Sequence, residues 1–273
     1  MRGRRIVANA MHAPVPQPID AELLLLAYRS GVFPMADNRD DPEVFWVEPR
    51  RRAILPLGGF HCSASLARTL RRGRFRVTCN AAFDRVIALC AESAPDRSET
   101  WISGRIAASY RALHRLGNAH SIECWQGDSL VGGLYGVGFD RVFCGESMFS
   151  RVPDASKVAL AWLVAALSHS SGRRSEATLL DCQFMTAHLA SLGAVEISQK
   201  RYVALLREAQ AEGAGGGGGA AGDGAAVGAG VGVALAAGDG LPAGFTALLD
   251  GAAAAGFASS PGNFIAQSFT QTS

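Results

Sequence analysis

The 273-residue sequence predicts an α+β protein with three parts: a small N-terminal unit (1–52), a larger mixed-sheet domain (53–210) and a flexible tail (211–273). Three observations carry this reading. Capped segments with helical spacing alternate with short apolar runs of strand length. Three consecutive runs between Ala119 and Phe149 are joined by tight turns, as in an antiparallel meander, and two strand-then-helix units follow, so the sheet is mixed. Beyond residue 210, 17 Gly and 18 Ala fill 35 of 63 positions, too little side-chain variety to specify a core.

After a loose start, the first helix runs from Asp20, a good N-cap, to Gly31, a good stop. Pro34 and the polar run Asn38 to Pro42 separate it from short extended pieces at 44–47 and 53–55. Residues 63–72 read as a basic helix, 75–79 as a strand, 80–91 as a helix, and 103–116 as a further helix closed by Gly117. The meander takes 119–126, 130–139 and 142–149, with Gly127-Asp128 as a turn. Gly132, Gly133, Gly136 and Gly138 fall inside a strand pattern and mark bulges or close approaches. A helix starts at Asp154, with Leu160, Leu163, Val164 and Leu167 forming a core stripe. A buried strand (178–183), a short helix (186–192), a strand (195–197) and a last helix (199–210) complete the domain. In the tail, 211 to about 240 reads as a linker. The more mixed end, LPAGFTALLD and then NFIAQSFT, is a candidate docking segment, and truncation after residue 210 is expected to preserve function.

The 26 Lys+Arg and 24 Asp+Glu are unevenly spread. The tail holds four acids and no Lys or Arg, so residues 1–210 carry +6. Residues 50–76 contain eight Arg and no acid, which points to an anionic partner. The longest uncharged apolar stretches, Val158 to Leu167 and Ala225 to Ala237, fall short of the roughly 18 residues a membrane span needs. Arg2, Arg4 and Arg5 lead into no export signal, and the six Cys form no CxxC pair, so reduced thiols in a cytoplasmic protein without a metal are expected.

Several residues could carry chemistry. Glu146 lies among Cys144, Gly145, Met148 and Phe149, and a carboxylate there either serves a ligand or pairs with Arg141 or Arg151. Strict alternation would point Phe143, Gly145 and Ser147 one way and Cys144, Glu146 and Met148 the other. Asp181 and Gln183 share a face at the end of a buried strand, where they either orient a nucleophile's proton and a carbonyl or, for Asp181, cap the next helix. His188 on that helix is a packing residue or a base. Trp101 could stack on a base or plug the core. Arg68, Arg71 and Arg72 share a helix face suited to phosphates or to plain solvation. No glycine-rich phosphate loop, G-x-S-x-G, P-loop or HExxH occurs.

The segments VFPMA (32–36), FWVEPRRRAILP (45–56), TWI (100–102), LHRLGNAHSIECW (113–125), LVGGLYGV (130–137), FCGESMFSR (143–151), DASKVAL (154–160), LLDCQF (179–184) and HLASLGAVEI (188–197) together resemble the leucyl/phenylalanyl-tRNA–protein transferases, in the same order from about residue 20 to 206. GESMFSR followed by ASK and DCQ is the most specific part.

The resemblance implies an N-acetyltransferase-like (GNAT-like) catalytic domain without a coenzyme A loop, and an enzyme without cofactors. It would move Leu, Phe or Met from aminoacyl-tRNA to the α-amine of proteins that begin with Arg or Lys, creating an N-end rule degradation signal. By the same resemblance, Asp181 and Gln183 hold the amine and steer its proton, with Asp181 either polarising the Gln183 amide or taking part in a relay, and Glu146 receives the cationic amine or side chain of the acceptor's first residue. Leu134, Phe143, Ser147, Leu160, Leu163, Leu167 and Leu180 surround the donor side chain, Trp101 and Met35 hold the terminal adenosine, and Arg68, Arg71 and Arg72 hold the acceptor stem. Met35 and Thr186 stand where the family has Trp and commonly Asn. A coenzyme A-dependent N-acyltransferase and a non-catalytic RNA-binding module are the alternatives. The protein is expected to be monomeric.

Overall fold

The computed structural model describes residues 17–92, 100–170, 178–214 and 240–270. The N-terminal unit comprises helix α1 (Ala21–Arg29), strands β1 (Phe33–Met35) and β2 (Phe45–Val47), and the entry to β3 (Arg51–Ile54). Asp20 caps α1 by accepting from Leu23 N (3.0 Å), and Gly31 ends the turn with φ +84°, as the sequence requires. The short pair β1–β2 was not legible as a hairpin because Pro34 sits in β1 and a polar loop separates the strands.

Next come α2 (Ala64–Arg71), β4 (Arg76–Cys79), α3 (Phe83–Cys90) and α4 (Gly104–Arg115), followed by the meander β5 (Ala119–Gln126), β6 (Ser129–Phe139) and β7 (Val142–Ser150). Helix α5 (Ala155–Ser170), β8 (Leu179–Gln183), α6 (Ala187–Ser191), β9 (Val195–Ser198) and α7 (Gln199–Ala214) complete the expected domain. Seven strands form one sheet in the order β4-β5-β6-β7-β8-β3-β9, antiparallel except for β7 beside β8. Strand β3 lies between β8 and β9, so the expected boundary at residue 52 falls inside a strand of the main sheet. Thus Arg51 and Arg52, read as part of a basic run, belong to the sheet that carries Asp181 and Gln183.

One sheet face is covered by α1, α3, α4 and α7, and the other by α5 and α2. The strand glycines behave as expected. A Cβ on Gly132 would stand 2.4 Å from Ala155 Cβ, so glycine there lets α5 lie against β6. A Cβ on Gly136 would stand 2.3 Å from Cys144 O and 2.5 Å from the Phe143 ring.

The reading of 211–273 as one flexible tail is corrected for residues 240–270. They form α8 (Gly240–Ala254) and α9 (Pro261–Thr270), which dock through the two segments singled out as mixed in sequence. Leu241, Leu248, Ile265 and Ala266 are buried in the same core as α5 and α2. The reason lies in α5: Val158 to Leu167 is buried at every position, not only along its sheet-facing stripe, and α8 covers the remaining side. Cutting after residue 210 would uncover Trp162, whose ring lies 5.4 Å from Phe245. The linker expected before residue 240 lies mostly in 215–239, outside the described residues. None of the described helices is long and apolar enough to cross a membrane.

Candidate active site

Strands β7 and β8 pair in parallel at Val142–Leu179, Phe143–Leu180 and Cys144–Asp181, and there the ladder ends. Two local irregularities follow. On β7, Ser147 faces Tyr135 and Gly145 faces Gly136 of β6, so Glu146 is the extra residue of a β-bulge. On β8, Gln183 adopts φ +62°, a left-handed conformation that few residues other than glycine take and that gathers at functional sites. The bulge overturns the strict alternation expected along β7. Phe143 and Met148 contribute to the α5 side, whereas Cys144 and Phe149 contribute to the other. The two distortions bring the side chains of Glu146 and Gln183 together, with Gln183 Nε2 donating to Glu146 Oε1 at 2.9 Å.

Glu146 is 8% exposed and pairs with no arginine among the described residues; of the two arginines offered as alternatives, Arg151 pairs with Glu92. Its other partners are two tyrosines. Tyr28 of α1 donates to Oε1 (2.7 Å), Tyr110 of α4 donates to Oε2 (2.8 Å), and the two hydroxyls are 2.6 Å apart. These three contacts close a triangle. With Glu146 ionised, two phenolic protons serve three contacts and one oxygen pair faces without a proton; a proton on the carboxyl fills all three. Burial pushes the Glu146 carboxyl up to about 7, against the lowering effect of the bonds from Tyr28, Tyr110 and Gln183. Burial also pushes both tyrosines well above their ordinary range, so they remain donors.

Asp181 is fully buried. Arg52 grips it through Nε to Oδ1 (2.9 Å) and Nη2 to Oδ2 (2.5 Å), and Tyr202 of α7 donates to Oδ2 (3.0 Å). Arg52 also donates to Gly31 O (3.1 Å) and lies between the rings of Phe33 and Tyr202, 4.8 and 4.4 Å from their centroids. Burial opposes the guanidinium's charge, but Asp181 more than offsets it and holds Arg52 above its ordinary value. Gln183 meets Asp181 through its backbone N–H, which donates to Oδ1 (2.8 Å), while its side-chain amide goes to Glu146. The expected polarisation of the Gln183 amide by Asp181 therefore does not occur; Asp181 fixes the backbone whose twist aims that amide. Nor does Asp181 cap α6, since Thr186 does so by accepting from Leu189 N (3.1 Å).

Glu146 and Gln183 border a cavity of about 450 Å³. Leu134, Leu160, Leu163 and Leu180 supply its apolar wall, and Trp101 and Ser147 line it too. Phe143 and Leu167 do not. They border a separate cavity of about 180 Å³ near the start of α8, because Leu167 lies two turns along α5 from Leu160 and the Phe143 ring fills the space that Gly136 leaves. Met35 is not on the cavity wall. It precedes Ala36, whose N–H donates to Trp101 O (3.3 Å), so it adjoins the Trp101 backbone. His188 lines the cavity, and burial and Lys157 both lower its pKa, which favours the neutral ring. Cys182 and Phe184 also line it.

Arg68, Arg71 and Arg72 are exposed at the end of α2, which Ser63 caps by accepting from Leu66 N (3.2 Å). Arg74 and Arg76 continue the exposed surface, with Arg76 and Arg85 each 5.1 Å from the Trp125 ring. Arg52 leaves this basic group because it is consumed by Asp181. The residues that sequence reasoning missed are Tyr28, Tyr110, Arg52 and Tyr202. Arg52 lies within the segment 45–56 but reads there as one of three adjacent arginines, whereas Tyr28, Tyr110 and Tyr202 lie on helices outside the segments that carry the resemblance; the helical spacing of Leu24, Leu25 and Tyr28, and of Ile106, Tyr110 and Leu113, was the signal that could have marked two of them as inward-facing.

Residues 54–207 match the family model for leucyl/phenylalanyl-tRNA protein transferase, and residues 17–50 match that of its N-terminal domain. The chain is 64% identical to a leucyl/phenylalanyl-tRNA–protein transferase of Novosphingobium aromaticivorans, over 94% of this chain and 98% of that protein. It is 57% identical to that of Rhizorhabdus wittichii (72% of this chain, 77% of that one) and 56% identical to that of Zymomonas mobilis (70% and 69%). On this evidence the chain belongs to the leucyl/phenylalanyl-tRNA–protein transferase family.

Proposed function

We propose that the protein transfers Leu, Phe or Met from aminoacyl-tRNA to the α-amine of proteins that begin with Arg or Lys, which creates an N-end rule degradation signal. It acts as a cytoplasmic monomer. The catalytic part is a GNAT-like domain, working without a cofactor. The observation that carries this reading is the Glu146–Gln183 bridge at one end of an apolar cavity, at the point where β7 and β8 part.

An aminoacyl ester is already activated, so the enzyme has chiefly to align the ester carbonyl with a neutral amine. An α-amine with a pKa near about 7.7–8.0 supplies a useful neutral fraction without a strong base. The donor side chain enters between Leu134, Leu160, Leu163 and Leu180, with Trp101 against the terminal adenosine. Because Glu146 takes the donor end of the Gln183 amide, the carbonyl end Oε1 is available to accept a hydrogen bond from the incoming amine. The amine nitrogen bonds to the ester carbonyl carbon, the bond from that carbon to the ribose oxygen breaks, and the amine's surplus proton passes to that departing oxygen, which leaves as the ribose hydroxyl. Glu146 lies beside this centre and, when ionised, attracts the cationic acceptor. Asp181 is a positioning residue, locked to Arg52 and Tyr202, that fixes Gln183. Met35 supports Trp101, and Phe143 and Leu167 support the cavity wall from behind. Arg68, Arg71 and Arg72 hold the phosphates of the acceptor stem.

The test is transfer of labelled Leu, Phe and Met from charged tRNA to peptides beginning with Arg, Lys, Asp or Ala. Transfer to the Arg and Lys peptides alone is expected. Transfer to Asp instead would overturn the acceptor assignment, and no transfer to any peptide would overturn the reaction.

A further inference from the structure

Helix α2 has only eight residues, and a helix that short is marginal without tertiary support. Its arginines face outward, so their direction is set by whatever grips the buried face of Leu66, Ala67 and Leu70. The helix that grips it most extensively is α9. Gly262 of α9 lies on the α2 backbone: a Cβ there would stand 2.3 Å from Leu70 O and 3.1 Å from Leu70 C, so glycine is what permits the approach. Ile265 and Ala266 are fully buried, and the Phe269 ring lies 4.8 Å from that of Phe60, just before α2. Helix α9 is held in turn by α8 and α5. Its start, at Pro261 and Gly262, lines a groove of about 300 Å³ together with Arg74 and Arg76. Both helices lie beyond residue 207, where the family match ends.

We infer that α8 and α9 form a built-in brace for the arginine helix, and that this brace sets how tightly the protein holds aminoacyl-tRNA without touching the reacting atoms. The inference rests on the reading of α2 as the acceptor-stem contact. Its residues are positioning residues, and the chief one is Gly262.

The test uses full-length Gly262→Ala and Gly262→Val, with the Ala variant as the milder perturbation should the Val variant fold poorly. Steady-state transfer is measured beside an Arg68/Arg71/Arg72→Ala triple variant. The brace predicts that KM for aminoacyl-tRNA rises in the order wild type, Ala, Val, reaching roughly tenfold as phosphate contacts are misaligned. It predicts no change in kcat or in KM for an Arg-starting peptide. A lowered kcat with unchanged KM for tRNA in both glycine variants overturns the inference, since that is what a smaller folded fraction gives. Unchanged KM for tRNA in the glycine variants with a raised KM in the triple variant overturns the brace alone. Unchanged KM in the triple variant overturns the reading of α2 on which the brace rests.

Discussion

Gln183 Nε2 donates to Glu146 Oε1 across 2.9 Å, just past the last paired residues of two parallel strands, and so joins the two strands where their backbones no longer pair. Both side chains reach this position through backbone irregularities, a bulge at Glu146 and a left-handed Gln183. Replacing Gln183 by Ala removes the amide oxygen that accepts from the incoming amine and is expected to lower kcat by about two orders of magnitude, the scale of losing a group that aligns one reactant. Single-turnover transfer at saturating tRNA checks this.

The Asp181–Arg52 pair predicts a stability effect separable from chemistry. Asp181→Asn leaves the buried guanidinium of Arg52 without its counter-charge, and breaking a buried pair from one side costs about 3–5 kcal/mol. Urea unfolding of this variant should show a lower midpoint with little change in slope. Tyr202→Phe removes one donor to the Asp181 carboxylate and is expected to cost less, about 1.5–3 kcal/mol.

Glu146 predicts a pH dependence with a definite sign. Its carboxyl is raised from about 4.5 to about 7 in the folded protein, so the folded state binds the proton more tightly than the unfolded chain. Its stabilising effect is fully present below pH 4.5 and is lost as pH rises through 7. Glu146→Gln, which cannot titrate, should flatten the change in urea midpoint across that window. In activity, wild type should show an inflection near pH 7 that is absent from the Gln variant.

The cavity predicts donor choice. Leu163→Ala deepens the apolar wall and should raise kcat/KM for Phe relative to Leu by roughly tenfold, the scale of one to two methylenes in a hydrophobic pocket. Competition between the two charged tRNAs reads this ratio directly. The arginine helix predicts a salt effect. The Arg68/Arg71/Arg72→Ala variant should lower the slope of log affinity against log salt by about 2–3, with no change in peptide binding.

Most elements and the local motifs were legible because they follow from neighbours in sequence. Asp20, Ser63 and Ser103 cap the helices they precede, and Gly31 and Gly117 close the first and last of these with positive φ. The cavity leucines on α5 were legible as a stripe, but how far along the stripe the cavity reaches was not. Leu167 lies beyond it, because that depends on where β6 and β7 lie against the helix. The residues that secure Glu146 and Asp181 were illegible for the same reason: Tyr28, Tyr110, Arg52 and Tyr202 come from four elements that only the folded topology brings together. Arg52 was read with its charged neighbours because, within a sequence, a buried guanidinium looks like an exposed one. The docked tail was half legible. Val158 to Leu167 is apolar on all sides, a pattern that calls for cover beyond the sheet, yet the alanine and glycine content of the tail concealed the helices that provide it.

Mass spectrometry of an Arg-starting peptide, after incubation with Leu-tRNA and either wild-type protein or Gln183→Ala, tests the central claim most directly. Wild type is expected to add a single leucine at the peptide's N-terminus in a ribonuclease-sensitive reaction, and the variant to add it at about one hundredth of that rate or less. Equal rates for the two proteins, or no addition by wild type, would contradict it.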